Sequence, residues 1–269
     1  MRYEYINDLE IPKIGFGTWR IGGRAKPDPA SDHTSRQALR SAFELRYTHF
    51  DTAETYAGGH TEELLGKVMR EMEIPRETLF ITSKVSPENL RYEDVLRSCE
   101  NSLRHLGTHY LDLYLIHWPG QGIPLIETFK GLNQLVEEGK VRALGVSNFD
   151  LQLLQQSMEL SKTPLLTNQV SYSLSDRTCQ KNGVLKYCQE NDLLLTAYSP
   201  VKHRDGKKIE VLKKIAKSYD ATVEQIELAW LTTQIHVITI PMSTNPKHQA
   251  DNIAAADIVL TQEEMDLLG

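Results

Sequence analysis

LFITSK (79–84), EDVLRSCENSLRHL (93–106) and LDLYLIHW (111–118) follow one another with short connectors between them. The first and third are brief apolar runs of strand length, and each stops abruptly at a polar or ring-bearing side chain. The second spaces its apolar residues at the helical period. Strand, amphipathic helix, strand is the repeating unit of a parallel sheet. Working outward, the same form recurs at KIGFGTW (13–19), YTHFD (47–51), RALGVSN (142–148), LLTNQ (165–169), LLLTAYS (193–199) and HVITIPMS (236–243). Eight such units predict a (β/α)8 TIM barrel. The C-terminal ends of its strands meet around one pocket, so the run endings name a candidate site: Trp19, Asp51, Lys84, His117, Asn148, Gln169, Tyr198 and Ser243.

The intervening helices are read at 31–45, 61–72, 93–106, 126–139, 150–160, 177–191, 210–219 with 222–233, and 245–256. Ahead of the first unit, RYEYI and LEI flank Asn7-Asp8, a pair suited to a tight hairpin turn. This predicts an N-terminal β-hairpin capping the barrel bottom. An open doubly wound sheet is disfavoured, because Gly15-Phe16-Gly17 is followed by Arg20 where the dinucleotide fingerprint needs a third glycine.

At 269 residues the chain matches the roughly 250 that such a barrel requires, and no linker or low-complexity tract interrupts it. A single domain over 1–269 is expected. Its net charge of −6 argues against nucleic acid as a partner, since phosphate binding needs a basic face. KHRDGKK (202–208) reads as a solvated basic loop. No run reaches the ~18 apolar residues of a membrane helix, and MRYEYIND carries no apolar signal segment, so no membrane contact and a cytoplasmic location are expected. Cys99, Cys179 and Cys188 have neither metal nor redox spacing, and no metal site is expected.

Asp51, Lys84 and His117 end strands two, three and four, and Tyr56 lies in the loop five residues after Asp51. A phenol beside an ammonium is a proton donor, because the cation stabilises the phenolate and lowers the pKa. A carboxylate holds the ammonium in place, and an imidazole hydrogen-bonds an incoming carbonyl oxygen. Each residue taken singly has an ordinary structural explanation. Their joint placement on one rim favours chemistry.

FDTAETY (50–56) with EELLG (62–66), ITSKV (81–85), LIHWP (115–119), GKVRALGVSNF (139–149), NQVSYS (168–173), TAYSP (196–200) and IPMSTNPKHQADN (240–252) together resemble the aldo-keto reductase family over nearly the whole chain. The resemblance implies hydride transfer from a nicotinamide dinucleotide to an aldehyde or ketone. Tyr56 would act as general acid, assisted by Lys84, Asp51 and His117. By motif, Ser147, Asn148 and Gln169 would bind the nicotinamide amide and Tyr198 would stack on the ring. Thr18 and Asp51 would lie near its ribose, Ser199 and Val201 near the pyrophosphate, and Asn252 at the adenine. Independently, Ser243, Thr244 and Asn245 ahead of Pro246 form a helix start suited to phosphate.

The chain departs from the family pattern where NADPH's 2′-phosphate is usually gripped: Met242 and His248 replace basic residues, with Lys247 beside them. NADPH remains the expected cofactor, and these two residues leave NADH use open. The substrate is expected to be a small aldehyde or ketone between Trp19, Tyr56, His117 and Trp118. Ser86 stands where some relatives carry a large aromatic, and the chain ends at TQEEMDLLG without a longer tail, so an open pocket of broad specificity is expected. A monomer or weak oligomer is expected. Two alternatives stand beside this reading. One is a non-catalytic NADP(H)-binding regulatory or sensor protein on the same fold. The other is a metal- or phosphate-dependent barrel hydrolase or isomerase, for which one His and one Asp with a Lys between them is poor metal-site chemistry.

Overall fold

The computed structural model describes residues 1–201 and 206–269. Residues 202–205 of the basic stretch, and the side chains of 206–208, lie outside that description. Two strands form the N-terminal hairpin: β1 (Tyr3–Ile6) and β2 (Leu9–Pro12). Asn7 and Asp8 turn it with φ of 48° and 60°, the paired left-handed conformation of the turn that best matches strand twist.

Eight parallel strands follow in sequential order: β3 (Phe16–Gly17), β4 (His49–Asp51), β5 (Phe80–Val85), β6 (Leu111–Ile116), β7 (Val141–Ser147), β8 (Leu165–Ser171), β9 (Leu194–Tyr198) and β10 (Val237–Thr239). The helices are α1 (Asp32–Glu44), α2 (His60–Glu71), α3 (Tyr92–Leu106), α4 (Leu125–Glu137), α5 (Leu151–Leu160), α6 (Thr178–Lys181), α7 (Val184–Glu190), α8 (Gly206–Ser218), α9 (Val223–Thr233), α10 (Pro246–Ala254) and α11 (Gln262–Leu268). The segment read as one helix over 177–191 divides because Gly183 sits at φ 82° between α6 and α7. The final helix, α11, is absent from the sequence reading, although its Thr261/Glu264 capping box is a sequence signature of a helix start.

The sheet closes on itself through the residues leading into β3. Gly15 N–H donates to the Thr239 carbonyl at 2.8 Å, and Thr239 N–H donates to the Lys13 carbonyl at 2.9 Å. The GxG of the first run serves this closure: a Cβ on Gly17 would stand 2.6 Å from the Ile240 carbonyl oxygen. β3 and β10 keep strand pairing over only two and three residues, though the apolar runs predicting them are longer.

Alternation along each strand separates two cores. Outward side chains such as Phe50, Ile81, Tyr114 and Val146 pack under the helices. At the bottom of the lumen, Leu113, Leu115, Leu166, Leu194 and Ile238 pack together with Ile6 and Ile11 of the hairpin. The hairpin therefore plugs the N-terminal mouth. Its hold is reinforced by the buried Lys13–Glu4 pair and by Lys13 Nζ donating to the Gln234 carbonyl at 2.8 Å. Above this apolar floor the inward positions turn polar: His49 and Asp51, Thr82 and Lys84, Thr167 and Gln169, Thr196. No helix among the described residues is long and apolar enough to cross a membrane.

Candidate active site

Above the polar layer opens a cavity of about 990 Å³ at the C-terminal strand ends. That is the upper end of the range for small-molecule and cofactor sites. Its wall includes Trp19, Asp51, Tyr56, His117, Trp118, Ser147, Asn148, Gln169, Tyr198, Ser199, Val201, Ser243, His248 and Asn252, so fourteen of the sixteen residues singled out from sequence meet at one surface. The other two stand behind it. Thr18 is fully buried and donates its hydroxyl to the Asp51 carbonyl at 2.9 Å. Lys84 is fully buried and reaches the cavity only through its partners.

Those partners form a connected chain. Lys84 Nζ donates to Asp51 Oδ1 at 2.6 Å and to the Thr52 carbonyl at 2.7 Å, and approaches the Tyr56 hydroxyl at 3.4 Å. The other carboxylate oxygen of Asp51 accepts from Gln169 Nε2 at 2.8 Å, across the lumen from β8. Strand pairing sets this up: Asp51 pairs with Thr82, two residues before Lys84 on the same face of β5. Tyr56 is presented from a 3₁₀ turn that continues through Ala57 and Gly58, both in the left-handed region. Ala57 N–H anchors the turn to the Arg24 carbonyl at 2.6 Å.

The electrostatics amend one expectation. Burial raises the Tyr56 phenol above its ordinary pKa, and the downward pull of the Lys84 ammonium only partly offsets it, with Asp51 pushing upward as well. A buried phenol is therefore protonated through the neutral range, and an ammonium beside it favours the phenolate relative to the phenol. Burial works against the charge on Lys84, but Asp51 and Tyr56 outweigh it and raise its pKa. His117 is pushed down to about 3 by burial and by the Lys84 charge, so its imidazole is neutral.

His117 Nδ1 meets Thr55 Oγ1 at 3.3 Å, and its ring lies edge-on to Tyr56 with centroids 5.7 Å apart. Trp19 also packs against the Tyr56 ring, with centroids 5.0 Å apart. Along the wall, Tyr198 donates its hydroxyl to Asn148 Oδ1 at 2.9 Å, while Asn148 Nδ2 donates to the His117 carbonyl at 3.1 Å. Asn148 holds φ 64° and Ser199 φ 50°, a left-handed conformation uncommon for non-glycine residues. At the far end, Asn245 caps α10 by accepting from Lys247 N–H at 2.9 Å. Met242, Lys247 and His248 line the cavity there.

The model of the aldo/keto reductase family matches residues 13–268. The chain belongs to the aldo/keto reductase family. Methylglyoxal reductase YeaE of Escherichia coli (strain K12) is 35% identical over 271 residues, covering 98% of this chain and 92% of that protein. The solved structure of the thermostable aldo-keto reductase Tm1743 with the inhibitor epalrestat superposes with a TM-score of 0.96 at 45% identity, covering 100% of this chain and 98% of that one. An aldo/keto reductase from Klebsiella pneumoniae, solved with NADP and acetate, gives 0.87 at 36% identity, covering 100% and 94%.

Several wall residues of this aldo/keto reductase escaped the sequence reading: Arg20, Thr55, Thr222, Glu224 and Asp251. Asp251 follows His248 by three positions, so helical spacing already puts both on one face. Thr55 directly precedes Tyr56. Thr222 and Glu224 start α9, and only the chain's path brings them to the cavity. Ser86, read as a gap left by a missing aromatic, is buried away from the wall, its N–H donating to Glu54 Oε1 at 2.6 Å.

Proposed function

We propose that this chain, as one barrel domain, reduces small aldehydes and ketones to alcohols with NADPH as hydride source and Tyr56 as general acid. The observation that carries the reading is the buried Asp51–Lys84 pair set behind the Tyr56 hydroxyl at the cavity wall. A bound nicotinamide dinucleotide supplies the hydride. The protein's own work is protonic and electrostatic. Tyr56 gives its proton to the carbonyl oxygen as negative charge develops there. Lys84 stabilises the phenolate formed, Asp51 keeps Lys84 charged, and neutral His117 offers a hydrogen bond to the same oxygen.

The cavity fits an extended dinucleotide. Amide and hydroxyl groups of Ser147, Asn148 and Gln169 stand near the Tyr56 end, and the capped start of α10 with Lys247 and His248 stands at the other. Free N–H groups at such a helix start favour phosphate. Lys247 supports NADPH over NADH, whereas Met242 contributes no charge. Trp19 and Trp118 are 42% and 48% exposed, which supports an open mouth, broad specificity and high KM. The similarity to a methylglyoxal reductase makes 2-oxoaldehydes the first substrate class to test. Three buried free cysteines suit a reducing, cytoplasmic setting. The intact tetrad leaves nothing in favour of a non-catalytic sensor.

The test is cofactor oxidation by purified protein with NADPH or NADH and methylglyoxal or 4-nitrobenzaldehyde. Turnover with at least one carbonyl, faster with NADPH, is expected. Tight cofactor binding without turnover on any carbonyl would overturn the reading.

A further inference from the structure

His117 is fixed firmly through its backbone and lightly through its ring. Its N–H donates to the Val85 carbonyl at 2.9 Å, and its own carbonyl accepts from Asn148. Among the described residues, the imidazole makes one hydrogen bond, from Nδ1 to Thr55 Oγ1. Thr55 is itself well placed: it directly precedes Tyr56, its carbonyl accepts from Gly58 N–H at 3.3 Å, and Tyr56 N–H donates to the Ala53 carbonyl at 3.0 Å. The loop that aims the phenol therefore also aims this hydroxyl.

A neutral imidazole has one N–H, and the hydrogen bond made by one nitrogen settles the state of the other. If the Thr55 hydroxyl donates to Nδ1, the proton resides on Nε2, and Nε2 is the ring nitrogen left for the cavity. If Nδ1–H donates to Thr55, a bare Nε2 lone pair faces the carbonyl oxygen and repels it. The Lys84 ammonium disfavours a second proton on the ring, so the tautomer decides what the substrate meets.

We propose that Thr55 is a positioning residue that donates to His117 Nδ1 and thereby fixes the tautomer carrying its proton on Nε2. The proposal rests on the reductase reading for its consequence, and its first readout is independent of turnover. In protein labelled with ¹⁵N-histidine, with His117 assigned by difference from a His117→Gln variant, Nε2 should be the protonated nitrogen. In Thr55→Val, a near-isosteric change, that preference should be lost. The kcat should fall about tenfold, as expected for one hydrogen bond, at unchanged affinity for NADPH. Thr55→Ser should restore both the tautomer and the rate. Protonation at Nδ1 in the parent protein would overturn the proposal. So would a Thr55→Val variant that keeps the parent tautomer, whether or not its rate falls. Absence of turnover in the parent with every carbonyl would contradict the reductase reading alone and leave the tautomer result to judge Thr55.

Discussion

Lys84 Nζ lies 3.4 Å from the Tyr56 hydroxyl while buried completely from solvent. The ammonium is held there by Asp51, so the two cannot be separated energetically. Lys84→Met would strand a buried carboxylate with Gln169 as its remaining donor. Removing one partner of such a pair costs about 3–5 kcal/mol, and losing support for the phenolate should lower kcat by about 10²-fold or more. Asp51→Asn combined with Lys84→Met should recover much of the stability and none of the rate. Thermal melts and turnover measured on the same samples check both halves.

Two buried histidines tie stability to pH. Burial pushes His49 down to about 4 and His117 down to about 3, both below the unfolded value near 6.5. Above pH 6.5 neither state carries the extra proton and stability is complete. As pH falls below 6.5 the unfolded chain takes up protons that the folded chain refuses, so stability is lost progressively toward pH 4 and, for His117, toward pH 3. Each group contributes at most about 1.4 kcal/mol per pH unit. His60 and His105, raised in the folded state, act in the opposite sense and moderate the slope. Denaturant unfolding of His117→Gln between pH 7 and 4 should therefore show a shallower fall than the parent protein.

At the start of α10, Lys247 and His248 bring basic side chains to the cavity wall. Lys247→Ala should weaken NADPH a few-fold to about tenfold and leave NADH nearly unchanged, since a partly solvated charge–phosphate contact is worth little more. Equal losses for the two cofactors, measured by fluorescence titration, would place Lys247 away from the 2′-phosphate.

Much of the site was legible because a barrel converts sequence position into spatial position. Asp51, Lys84, His117, Asn148 and Gln169 could be named from run endings, since parallel strands bring those endings to one rim. What escaped depends on side-chain direction and loop path. Lys84 was expected at the rim but stands behind Tyr56. Gln169 turns its amide to Asp51. The lowering of the Tyr56 pKa expected from Lys84 is outweighed by burial, whose extent no local pattern reveals. Thr55, Thr222 and Glu224 reach the cavity by the course of loops that carry no periodic signal.

The hairpin offers a test remote from the chemistry. Ile11 is fully buried among lumen residues, so Ile11→Ala should cost about 2–5 kcal/mol. Because the floor lies below the polar layer, turnover of the folded variant should remain close to that of the parent. A matching loss of activity at temperatures where the variant is folded would contradict the separation of floor and site.

The most direct measurement is NADPH oxidation by Tyr56→Phe with methylglyoxal, alongside NADPH affinity by fluorescence. The phenyl ring keeps the contacts with Trp19 and His117 and removes only the hydroxyl. Unchanged affinity with a fall in kcat of about 10²-fold or more is the outcome that assigns the proton to Tyr56. Turnover equal to that of the parent protein would contradict the assignment.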